Sequence, residues 1–81
     1  MNDKITYGDG WAIAILVAKE LGIDVCMVDY ANIFLETKKI HPASILVFEQ
    51  EANKAIAEIV NRGLADKAQE VAERYYKLYK L

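Results

Sequence analysis

Trp11-Ala12-Ile13-Ala14-Ile15-Leu16-Val17-Ala18 is the stretch on which the fold turns. It holds no polar side chain, so wound as a helix it is apolar all round and calls for burial on more than one side. It is far shorter than the roughly 20 apolar residues that span a bilayer. The segment is therefore read as the central helix of a small domain, or as a helix facing both the core and a second copy.

Its borders support a helix. Gly8-Asp9-Gly10 is a turn signal in which Asp9 can serve as N-cap. Gly22 follows the last helical turn, where a residue with positive φ is favoured. The first helix is thus expected over about 10–21, with residues 1–8 as a polar N-terminal arm.

Working outward, Asp24 can cap a second helix over about 25–37. Asp29, Asn32 and Glu36 fall in a narrow sector of it at 100° per residue. Val25 to Val28 also reads as a short buried strand, since short apolar runs do not separate the two states. No other segment offers such a strand a partner, which favours helix. Pro42 opens a third helix, about 43–61, with Ile45, Phe48, Ala52, Ala55, Ile56 and Ile59 as its apolar stripe. Gly63 ends it, and a fourth helix is expected over about 65–79 on Leu64, Ala68, Val71, Ala72, Tyr75 and Leu78. The short Arg62-Gly63-Leu64 break predicts an antiparallel hairpin of the last two helices. The reading is a single all-α domain of about four helices covering residues 1–81.

Composition narrows the function classes. The chain has 81 residues, 54% of them hydrophobic, against about 45–50% in typical domains. So small a domain has little interior, so apolar side chains are expected at the surface, where they mark a partner site. A protein partner or a homodimer is expected on this ground. The net charge is −2, without the basic excess of a nucleic-acid-binding domain. It divides unevenly, because residues 1–35 carry Lys4 and Lys19 against Asp3, Asp9, Glu20, Asp24 and Asp29. A single cysteine, Cys26, excludes an internal disulfide and fits a reducing compartment. The opening residues lack a basic run feeding an apolar one. A cytoplasmic location is the expectation.

Catalytic and metal chemistry find little to work with. Cys26 and His41 are the only residues of their kinds, on separate elements, and Cys26 reads as a small core residue. One Cys and one His cannot build a tetrahedral zinc site. Asp24, Asp29 and Glu36 read as a solvated acidic face rather than a hard-cation site, which takes more oxygens. No catalytic residue, metal or cofactor is assigned, and an enzyme is not expected.

The segment 14–34 resembles a helix-turn-helix motif. Ala18 takes the place of the small residue in the first helix, Gly22 that of the glycine at the turn, and Val28 that of the aliphatic locking the second helix. The resemblance implies a small DNA-binding regulator, acting as a dimer. The family's second helix presents basic and amide side chains to DNA. Here Asp24-Val25-Cys26-Met27-Val28-Asp29-Tyr30 presents two carboxylates and no positive charge. Nucleic acid is therefore the alternative partner rather than the favoured one.

Two candidate binding regions follow. Asp24, Asp29 and Glu36, with Tyr30, form an acidic patch suited to a basic partner surface. Arg74, Tyr76, Lys77 and Tyr79 form a basic, tyrosine-rich C-terminus of the kind enriched at interfaces. The favoured function is a non-enzymatic interaction module (adaptor, inhibitor or regulator), with no membrane partner.

Overall fold

A computed structural model describes residues 7–81. Four helices follow one another: α1 (Tyr7–Glu20), α2 (Val28–Thr37), α3 (Ile45–Asn61) and α4 (Ala65–Leu78), with a 3₁₀ turn at Pro42–Ser44 leading into α3. The all-α expectation holds, and no strand occurs among the described residues. Most of the N-terminal arm expected over 1–8 lies outside the described residues; Tyr7 and Gly8 already belong to α1.

α1 is the central helix. Among the described residues it packs against each of the other three and takes part in the broadest helix–helix contacts. Ala12, Ile13, Ile15, Leu16, Val17 and Ala18 are all buried. Its expected N-cap needs correction. Asp9 lies inside the first turn of α1 and is buried, with its carboxylate accepting from Lys38 Nζ at the end of α2. An ion pair in a half-dry setting holds the carboxylate more firmly than a cap exposed to water would. Gly8 sets how closely α1 lies against α2. A Cβ built there would stand 2.5 Å from Phe34 Cζ, so only glycine lets α1 approach α2 this closely.

The C-terminal stop of α1 is as expected. Gly22 adopts φ 86°, its N–H bonds to Lys19 O (3.1 Å), and the Ile23 N–H bonds to Ala18 O (2.9 Å). This pair of bonds satisfies two of the helix's last carbonyls and turns Ile23 into the core, where it is buried. The same arrangement ends α3, through Gly63 (φ 68°) and Leu64 N–H to Ile59 O (3.0 Å).

The second helix starts later than expected. α2 begins at Val28, and Asp24 does not cap it. Met27 stands before it in a left-handed conformation, φ 67°, which no helix continues through. The segment in between alternates. Val25 and Met27 lean on the core while Asp24 and Cys26 face water, so Cys26 is exposed rather than a core residue. α1 and α2 are thus joined by residues 21–27. Ala18 is buried and Gly22 makes the turn, while Val28 opens α2.

Phe48 centres the core. It is fully buried and meets three aromatic rings edge-on: Trp11 at 5.8 Å, Tyr30 at 5.1 Å and Phe34 at 5.8 Å between centroids. Each such pair adds about 0.5–1.5 kcal/mol beyond the area it buries. One side chain from α3 thereby joins α1 and α2.

The apolar stripes of α3 and α4 are narrower than expected. On α3, Phe48, Ala52, Ala55 and Ile59 are buried, but Ile45 and Ile56 are 40% and 46% exposed. On α4 Val71 is buried, and Leu78 points into solvent, 68% exposed. The cause is shared. α3 and α4 are joined by the expected short turn but touch sparingly, each being anchored on α1. Side chains that a tight hairpin would cover are left on open faces.

Candidate interaction surface

The space between α3 and α4 is a groove of about 320 Å³ floored by α1. Small residues create it. Gly10 and Ala14 lie one turn apart on α1, and Ala65, Ala68 and Ala72 follow on α4. Short side chains at these positions leave unfilled the volume that leucines would take. Ile13 and Val17 of α1, and Ile56, Ile59 and Val60 of α3, supply the remaining apolar wall. Gln69 and Tyr76 are its polar members. No charged side chain lines it among the described residues.

The groove opens onto an apolar face of α3. At 100° per residue, that helix has three faces. One carries Phe48, Ala52, Ala55 and Ile59 and is buried. A second carries Glu51, Lys54, Glu58 and Arg62, paired within the helix: Lys54 with Glu51 at 3.7 Å and Arg62 with Glu58 at 3.0 Å. The third carries Ile45, Leu46, Asn53, Ile56, Ala57 and Val60, with Glu49 as its one charge. Leu46 and Val60 are each 61% exposed. Most of the charge of α3 is therefore gathered on one side, which leaves the third face with a single carboxylate where a surface usually carries several charged residues.

The residues singled out from sequence are scattered over this frame. Asp29 and Glu36 are exposed on α2. Asp24 is exposed on the α1–α2 connection, beside a small recess that also includes Glu51, Lys54 and Glu58 of α3. Tyr30 is half-buried. Its ring packs on Phe48 and its hydroxyl accepts from the His41 N–H at 3.3 Å. Arg74 donates to the Glu20 carboxylate, and the Tyr75 hydroxyl donates to the same group at 3.2 Å. The Tyr79 hydroxyl donates to Asn32 Oδ1 at 3.3 Å. Lys77 is exposed. Of the whole set, Tyr76 alone lines the groove. Tyr30, Arg74 and Tyr79 spend their polar atoms inside the chain, tying α2 to the connection before α3 and α4 to α1 and α2.

These ties leave an electrostatic mark. The hydrogen bond from Arg74, reinforced by Tyr75, holds the Glu20 carboxyl below its ordinary range against an opposing desolvation. Desolvation first, and the bond to Glu20 second, push the Tyr75 hydroxyl up. Arg74 is raised in turn by Glu20. His41 is a capping residue, its Nδ1 accepting from the Ala43 N–H at 3.1 Å. The described residues contain no cluster of three side chains suited to a metal ion. No described helix is long and apolar enough to cross a membrane.

Sequence reasoning missed the groove because alanines at helical spacing on α4 read as core. The signal was present in a different form: Gly10 and Ala14 on α1 and three alanines on α4 are too small to fill the space between two diverging helices. Compared with known protein families, with curated proteins and with solved structures, the chain matches none of them.

Proposed function

We propose that this chain is a small, non-enzymatic protein-interaction module that works by engaging a partner surface. The observation that carries the reading is the groove of about 320 Å³ and the largely apolar face of α3 continuing from it, which bears Glu49 as its one charge. Exposed, contiguous apolar surface rimmed by polar residues is characteristic of interaction sites in soluble domains. The acidic residues Asp24, Asp29 and Glu36 lie outside this surface and serve as a secondary, charge-steering region for a basic partner.

Affinity capture from the native host separates the two regions. Ala65→Glu with Gln69→Lys places charge on the α4 wall at exposed positions. The expected result is loss of a stoichiometric partner with this variant and weaker, salt-sensitive loss with Asp29→Lys/Glu36→Lys. Equal capture by the wild type and both variants would sink the reading.

A further inference from the structure

We propose that the third face of α3 pairs with the same face of a second copy of this chain, antiparallel, about a two-fold axis passing at Asn53. This rests on the reading that the apolar surface is an interaction surface, and it names the occupant of the α3 face.

The face is self-complementary. Leu46 and Val60 stand seven residues either side of Asn53, about 21 Å apart along the helix. Residues at heptad spacing stay on nearly the same side of a helix. Leu46 projects near the start of α3, at 61% exposure, whereas Val60 forms the rim of the groove. Each copy therefore carries two equally exposed apolar side chains on a single helix face, the second of them bordering the groove. A two-fold operation sets Leu46 of one copy against Val60 and the groove rim of the other, and it makes both contacts at once, as an isologous interface requires. The same operation brings Asn53 to Asn53. A carboxamide donates and accepts, so two of them satisfy each other, and a lone amide in an apolar seam fixes the register.

Charge and area agree with a second copy. The four ion-paired side chains of α3 lie off this face, and the single carboxylate on it, Glu49, meets the second copy's Ala57. Charge depletion at the centre is what distinguishes an interface core from ordinary surface. Ile45, Leu46, Ile56, Ala57 and Val60 leave on the order of 400 Å² of apolar surface open on one chain, at the scale of the largest patch a monomer shows. Two copies cover twice that area. Gln50 and Asn53, both exposed, bring the total to the roughly 1,000 Å² that marks a specific interface.

Light scattering on the full chain at about 100 μM reads the outcome. The expected mass is twice 9.1 kDa for the wild type, and 9.1 kDa for Leu46→Lys and for Val60→Lys, with unaltered helical circular dichroism. A second measurement stands if either variant fails to fold. In a Cys26→Ser background, Asn53→Cys is expected to form an intermolecular disulfide under mild oxidation, since Cα atoms within about 7 Å can be bridged. Glu58→Cys, on the charged face, is not. A wild-type monomer, a dimer that survives both lysine substitutions, or equal cross-linking at residues 53 and 58 overturns the proposal. Leu46 lies outside the groove. A monomeric wild type that still loses a captured partner on Ala65→Glu/Gln69→Lys would thus remove the dimer and keep the module.

Discussion

α1 and α3 are both rich in large apolar residues, yet they treat them differently. α1 buries nearly every one between Trp11 and Ala18, while α3 leaves Ile45, Leu46, Val47, Ile56 and Val60 open to solvent. Hydrophobicity does not explain the contrast, because the side chains are of the same kinds. Neighbours explain it. α1 has three helices broadly packed around it, whereas α3 leans on α1, meets α2 chiefly through Phe48 and touches α4 sparingly. In a domain of this size only one helix can be enclosed, and every other helix keeps faces that its own chain cannot cover. The difference separates apolar residues that hold the fold from apolar residues free to meet a partner.

The sharpest way to break that distinction is at the centre. Phe48→Ala removes the ring against which Trp11, Tyr30 and Phe34 pack, and a loss of about 3–5 kcal/mol is expected. That is comparable with the whole stability of a small domain, so chemical denaturation should find the variant largely unfolded. A variant losing less than about 1 kcal/mol would mean that the centre lies elsewhere. Next is Gly8→Ala, whose new methyl collides with the Phe34 ring. An expected cost of about 1–3 kcal/mol, read from the urea midpoint, reports how tightly α1 closes on α2.

On the open side of α3 the expected stability effect is small. Leu46→Lys and Val60→Lys should change the folding free energy by no more than about 0.5 kcal/mol, as ordinary surface substitutions do. Thermal melts at low protein concentration check this separately from association. A large loss would place these residues in the fold and erase the contrast with α1. The smallest effect concerns the tie between α1 and α4. Glu20 has its carboxyl held down by Arg74, so the stability it contributes is present above the ordinary value of 4.5. It is lost as the pH falls through the lower folded-state value. Glu20→Gln should remove that part of the acid limb, giving a flatter melting-temperature profile from neutral pH downward. Parallel profiles for the two proteins would show that the exposed pair contributes nothing.

The comparison also shows which positions could be read in advance. Helix ends governed by glycine were legible, because φ near +86° at Gly22 and +68° at Gly63 is a local demand that few other residues meet. The start of α2 was not. Asp24 has the chemistry of a cap, but Ile23 and Val25 are drawn to the core from either side of it, and the helix waits until after Met27. Asp9 also has cap chemistry, and a lysine 29 residues away in the chain takes its carboxylate instead. Tyr30 and Tyr79 read in the sequence as partner-binding residues, whereas their hydroxyls bond the His41 N–H and Asn32 within the chain.

From sequence alone came the helical class, the central place of the Trp11–Ala18 helix and the stops at Gly22 and Gly63. All of these rest on local conformational preference or on a periodicity contained in one segment. Tertiary structure alone decided which half of α3 is covered, that α3 and α4 part beyond their turn, and that the opening between them is a groove. Those outcomes depend on which helix occupies the middle and how many neighbours remain for the others, and no single segment carries that information.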